Sequence, residues 1–333
     1  MKSFLKQLFI FALCGFGVML IFIISYWIND PFKVLKKYSD YSYPFVIPNR
    51  DVISTEMLVK NYPKYHYNSF IFGSSRTLAY RPSSWAKKLD ERDKVFMFDA
   101  SAESIYGIYT KLKFLDSRNI DIKNALIILC RDVSFLNKAN HQGHLFIKDP
   151  LTSGESEFDF QATFFKAYLS PKFFFSYYAY LNTKKYKPFM AGYIENRKIR
   201  FDPVNNAITI LDQEDEITNH TKRYYEVRDK LFYKRGKEQI DSVVEINNEF
   251  NYMLSEIKRI LVKHKTNYKI VLSPLYEQIK FNPKDLKKLH SLFGENVYDF
   301  SGKNTFSDKV TNYYEISHYR PIVGDTILNI IYK

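Results

Sequence analysis

From Ser69 to the end of the chain, short apolar runs alternate with helix-like stretches. This alternation limits the fold more than any other feature. "SFIFG" (69–73), "VFMFDAS" (95–101), "ALIILCRDV" (125–133), "YKIVLSPLY" (268–276) and "NVYDFSG" (296–302) read as five strands. "SSWAKKLDER", "SIYGIYTKLKFLDSR" and "PKDLKKLHSLF" read as helices between them. Strands joined through helices argue for an α/β fold with a mostly parallel five-stranded sheet. Before the fourth strand, Val243, Ile246, Phe250, Met253, Ile257 and Leu261 recur at steps of three and four, which puts them on one face of a long amphipathic helix.

Residues 135–238 interrupt the alternation. They hold "FDFQATFFKAYLSPKFFFSYYAYL", part of an aromatic content of 17% over the chain. The block reads either as the core of an inserted helical subdomain or as a lid or docking surface facing substrate, membrane or partner. The 333 residues are 46% hydrophobic, enough for a sizeable core, and 11 Gly and 12 Pro exclude a low-complexity protein.

"LFIFALCGFGVMLIFIISYWI", Leu8 to Ile28, is 21 residues without a charge. About 20 apolar residues span a bilayer. Lys2 and Lys6 precede the run, and Tyr26 and Trp27 stand near its far end, where interfacial aromatics belong. A cleaved signal peptide would be shorter and end in small residues, so the run is read as an uncleaved anchor. The expected organisation is an anchor over 1–28, a neck over 29–68 and a domain over 69–333. The expected location is the cytoplasmic (inner) membrane, crossed once, with the main domain outside the cytoplasm.

The formal net charge is +13. A basic surface suits lipid headgroups or acidic glycans, although a Lys-rich composition also follows from an AT-biased genome. The Lys and Arg residues are scattered, with no basic arm and no zinc-finger or RNA-binding signature, which argues against nucleic acid. Cys14 and Cys130 are too differently placed to pair.

Chemistry-bearing residues stand at two places. In "NSFIFGSSRTLAY", an apolar strand runs straight into Gly73, Ser74 and Ser75. Gly73 permits a sharp turn. Ser75 at the carboxyl end of a parallel strand is placed either for chemistry or for capping a helix. After the fifth strand, "NYYEISHYRPIVGDTILNIIY" sets Glu315 three residues before His318, within reach of the imidazole in a loop or first helical turn. Glu315 also reads as a helix-start carboxylate, and His318 as a structural residue. A serine, a histidine and a carboxylate are the set that acyl transfer needs. Arg76 reads as an anion binder or a structural ion pair. "HQGH", His141 to His144, spaces two histidines as a metal pair would, without a matched ligand set. No metal or cofactor is expected.

Taken together, "FGSSR", "FDASAES" and "EISHYRPIVGDTIL" resemble the SGNH (GDSL-type) hydrolase and acyltransferase superfamily over about 69–133 and 268–333. The likeness is to its membrane-anchored, envelope-polymer branch, which includes the D-alanyl transfer protein of teichoic acid and alginate O-acetylation proteins. The resemblance implies a three-layer, flavodoxin-like sandwich. It implies Ser75 as nucleophile, His318 as base and Glu315 as acid, with an oxyanion hole from Ser75 and from Ser101 or Ala102. It also implies a small acyl group, acetyl above all, moved to or from a cell-surface polysaccharide, and a polytopic membrane-bound O-acyltransferase as partner. Two departures stand out: the acid is Glu rather than Asp, and "CRDVSF" replaces a Gly-x-Asn-Asp block, leaving Arg131 or Asp132 in place of its asparagine. These departures keep a second expectation open, a non-catalytic envelope scaffold that binds glycan or a membrane acyltransferase.

Overall fold

The computed structural model describes residues 2–333. The chain begins with α1 (Lys2–Asn29), a helix long and apolar enough to cross a membrane. It continues through α2 (Arg50–Tyr65), β1 (Ser69–Gly73), α3 (Pro82–Ala86), β2 (Val95–Met97), α4 (Ile105–Ser117) and β3 (Asn124–Leu129). A long excursion follows, with α5 (Pro150–Ser153), α6 (Glu157–Leu169), α7 (Pro171–Thr183), the hairpin of β4 (Ile199–Phe201) and β5 (Ile208–Ile210), and α8 (Leu211–Val227). Then come β6 (Gln239–Ile240), α9 (Asn248–Lys263), β7 (Asn267–Leu272), β8 (Ile279–Lys280), α10 (Pro283–Phe293) and β9 (Val297–Asp299). A second hairpin of β10 (Tyr313–Glu315) and β11 (His318–Tyr319) leads into α11 (Pro321–Ile331).

The five long-range strands form one sheet in the order β2-β1-β3-β7-β9, and every pairing in it is parallel. The strands are apolar on both faces because both faces are covered. Phe70, Phe72, Ile127, Leu129, Ile270 and Leu272 pack against α2, α4, α9 and α10. Ile71, Leu126, Ile128 and Val271 pack against α11 and Trp85 of α3. The strand order reverses at β1, which is where doubly wound sheets bind ligands beyond the carboxyl ends of their strands.

Local chemistry sets where the expected elements stop. The helix read over "SSWAKKLDER" is only Pro82–Ala86; Asp90 accepts from the Arg92 backbone N–H at 3.0 Å and turns the chain instead. The second strand ends at Met97, and the fourth at Leu272, before Pro274. Val243 lies outside α9 and is exposed, because Asn247 caps that helix by accepting from Phe250 N. The stretch read as a neck contains α2, whose Ile53, Met57 and Leu58 belong to the main core.

Two helices of the aromatic block, α6 and α7, pack on the end of α1. Tyr26 lies 5.4 Å from Phe165 and 5.2 Å from Tyr168, and Phe22 lies 5.6 Å from Phe174, between ring centroids. The Ser25 and Tyr178 hydroxyls bond at 2.7 Å. The block also holds the β4–β5 hairpin, so it is not wholly helical.

Candidate active site

The turn after β1 is built for close approach. Gly73 has φ +144°, and a Cβ there would lie 2.6 Å from the Ile128 carbonyl oxygen of the neighbouring strand. Only glycine meets both demands. Ser74 follows with its hydroxyl buried, 3.6 Å from Cys130 Sγ. Ser75 opens a short 3₁₀ turn, Ser75–Ala79, and Ser74 in its cap position makes no side-chain cap bond.

The Ser75 hydroxyl instead meets His318 Nε2 at 2.7 Å. His318 Nδ1 in turn bonds Glu315 Oε1, and Glu315 Oε2 accepts from the Ser317 N–H at 2.7 Å. A proton on Nδ1, donated to Glu315, leaves Nε2 free to accept from the serine. Burial pushes the Glu315 carboxyl up, but the His318 hydrogen bond and charge, with the Ser317 N–H, outweigh it and hold the group below its ordinary value. The spacing of Glu315 and His318 works through a hairpin rather than a helical turn, because the two are cross-strand partners in β10–β11.

Buried tyrosines fix that hairpin. Tyr313 OH donates to the Pro274 carbonyl at 2.7 Å, and Tyr319 OH lies 3.1 Å from Ser273 Oγ. From α8, Tyr224 OH donates to the Tyr314 carbonyl and Tyr225 OH to the Tyr313 carbonyl, each at 2.9 Å. Arg76 donates from Nε to the Ser317 carbonyl at 2.9 Å and pairs with Asp132. It therefore ties the serine turn to the histidine hairpin and to the loop after β3.

The loop after β2 follows β1: Phe98 N donates to Ile71 O at 2.9 Å and Ala100 N to Gly73 O at 3.3 Å. Ser101 thus lines the same cleft as Ser75 and His318, and Ala102 beside it has a left-handed φ of +49°. Arg131 does not join them. It pairs with Asp241 at 2.9 Å and Glu277 at 2.8 Å, and it does not line the cleft. His141 and His144 also do not act as a pair. His141 Nε2 bonds Ser104 Oγ at 2.7 Å, while His144 stacks on Tyr193. Burial, then the Lys148 charge, pushes His141 down to about 4, so it is neutral at physiological pH.

Several residues here escaped the sequence reading. Asp99 is fully buried, accepts from Thr77 Oγ1 at 2.8 Å and pairs with Arg50. Below it, Lys111 and Lys148 pair with Asp51 and Glu103 in a buried, charge-balanced network. Arg50 lines the cleft, and its buried Nε has no hydrogen-bond partner. Nothing in the spacing of Arg50 marks it, since it starts α2 in the stretch read as a neck. The β4–β5 hairpin was findable: Ile199 and Phe201, then Ile208 and Ile210, alternate on either side of turn residues "DPVNNA".

The cleft measures about 190 Å³. A larger cavity of about 460 Å³ by Tyr225, Arg235 and Tyr276 contains none of the predicted residues; the chemistry collects in the smaller one. No family model matches the chain, and no curated protein is significantly similar to it.

Proposed function

We propose that this chain is a membrane-anchored acyltransferase or esterase of SGNH type, with its domain outside the cytoplasm. It moves a small acyl group to or from a hydroxyl of a cell-surface polysaccharide through an acyl-serine. The observation that carries the reading is the continuous relay Ser75–His318–Glu315, with 2.7 Å between Ser75 Oγ and His318 Nε2.

In the first step Ser75 Oγ attacks the acyl carbonyl of a donor while His318 Nε2 takes the hydroxyl proton. Glu315 stabilises the imidazolium. The tetrahedral oxyanion faces the N–H groups of Ser75 and of Ser101 or Ala102, with the Arg50 guanidinium as a further donor. Collapse expels the donor's leaving group, which takes the proton from His318. In the second step His318 removes a proton from the acceptor hydroxyl, or from water, whose oxygen attacks the acyl-serine; as that intermediate collapses, the bond to Ser75 Oγ breaks and His318 returns the proton to it. A groove of about 750 Å³ shares Leu78, Ile208 and Ile210 with the cleft and is also lined by Arg81, Arg200 and Arg320, room for a polymeric acceptor. A polytopic O-acyltransferase in the same membrane would supply the acyl group.

The engagement of Arg131 with Asp241 and Glu277 favours a second reading, a scaffold that binds glycan without turning it over. Turnover of an activated acetate ester separates the two. Ser75→Ala and His318→Ala should each lower the rate on the order of 10³-fold or more while the protein stays folded. A wild-type-like rate in either variant rejects the site.

A further inference from the structure

The β4–β5 hairpin lays an apolar surface over the candidate nucleophile. In its register Ile199 faces Ile210 and Phe201 faces Ile208. All four side chains are buried, whereas Arg200 between them is exposed. Period-two alternation therefore turns one face of the hairpin inward, and that face lines the cleft that also contains Ser75 and His318. The cleft, about 190 Å³, is many times the roughly 10–15 Å³ that a single water needs on this measure, so it has room for more than the methyl of an acetyl group.

The charges in the wall are already matched. Arg197 holds Glu195 with two bonds, Nε to Oε1 at 2.9 Å and a terminal nitrogen to Oε2 at 2.8 Å. Arg50 meets Asp99. No unmatched charge remains to recognise an ammonium or carboxylate on the acyl chain, and leaving either one unpaired in such a cleft is costly.

The geometry points to an acyl-chain pocket: the excursion between β3 and α9 supplies, through Ile199, Phe201, Ile208 and Ile210, a specificity surface for an uncharged acyl group of about four to six carbons. This rests on the acyl-transfer reading of Ser75 and narrows it from a small acyl group in general to a short apolar chain. A sugar ring is a poor occupant of the same surface, because its hydroxyls would find few partners there.

The test uses the full chain in detergent with p-nitrophenyl acetate, butyrate and hexanoate. Each buried methylene should raise kcat/KM about four-fold, so butyrate should exceed acetate by roughly ten-fold or more. Ile210→Trp, which fills the cleft, should lower the butyrate-to-acetate ratio at least ten-fold. Phe201→Ala, which enlarges it, should raise the hexanoate-to-butyrate ratio. A wild-type ratio at or below one, or ratios that neither substitution moves, overturns the pocket while leaving the acyl-serine standing. No turnover of any ester, with Ser75 inert to an organophosphorus probe, overturns the acyl-transfer reading and the pocket with it.

Discussion

Position 315 carries a glutamate, one methylene longer than an aspartate, and the β10–β11 hairpin makes that length usable. Cross-strand neighbours lie close enough for side chains to meet. The longer carboxylate serves two donors at once, His318 Nδ1 and the Ser317 N–H. Because the Glu315 carboxyl is held below its ordinary value, it stays ionised as the pH falls through the range where a free glutamate protonates. Glu315→Gln removes that charge without removing the shape. It should lower turnover on the order of 10²–10⁴-fold, whereas Glu315→Asp should keep much of the activity, with circular dichroism used to normalise rates to folded protein. If Gln at 315 leaves the rate within a factor of about two, worth only ~0.4 kcal/mol, the acid is elsewhere. At this scale Ser75, His318 and Glu315 were legible because their order and their placement after strands were informative. Arg50 was not, since a lone arginine 25 positions before the serine carries no local signal.

Among the elements, α11 decides whether the serine turn is in place. Its Val323, Gly324, Ile327, Leu328 and Ile331 form the buried stripe. A Cβ on Gly324 would lie 2.0 Å from the Ala79 carbonyl oxygen, at the end of the Ser75–Ala79 turn. The helix therefore rests directly on the backbone that presents Ser75. Gly324→Ala must push the two apart, and overpacking of this kind costs about 1–3 kcal/mol. The expected outcome is a lower melting temperature together with slower ester turnover, although no residue of the relay is changed; an unshifted melt and an unshifted rate would show that α11 does not set the turn. The five strands of the sheet were legible because burial on both faces leaves continuous apolar runs. Element ends were less legible: the second and fourth strands stop at Met97 and Leu272, short of the ends of their apolar runs, and the Asp90 turn cuts α3 short by local chemistry. The β10–β11 hairpin was also hidden, since strands of two and three residues are too short to show a period.

For the molecule as a whole, the long excursion does two things. Its α6 and α7 pack on the last turns of α1, and its β4–β5 hairpin covers the cleft. Phe22, Ser25 and Tyr26 are held by Phe174, Tyr178, Phe165 and Tyr168, so cleavage after the apolar run would strip the partners from an aromatic cluster. The chain should therefore resist alkaline extraction from membranes and retain α1; a soluble product starting near residue 29 would contradict the anchor. The excursion was visible in the sequence as an interruption dense in aromatics, but which surfaces it covers depends on contacts more than 100 residues apart, such as Ser25 with Tyr178, and no local pattern encodes them. The proposed nucleophile is Ser75, activated by His318. The most direct test of this role is to treat the full chain with a fluorophosphonate and locate the adduct by peptide mass spectrometry. One adduct is expected, on Ser75, lost in Ser75→Ala and strongly slowed in His318→Ala. An unlabelled protein, or an adduct elsewhere that persists in Ser75→Ala, would contradict it.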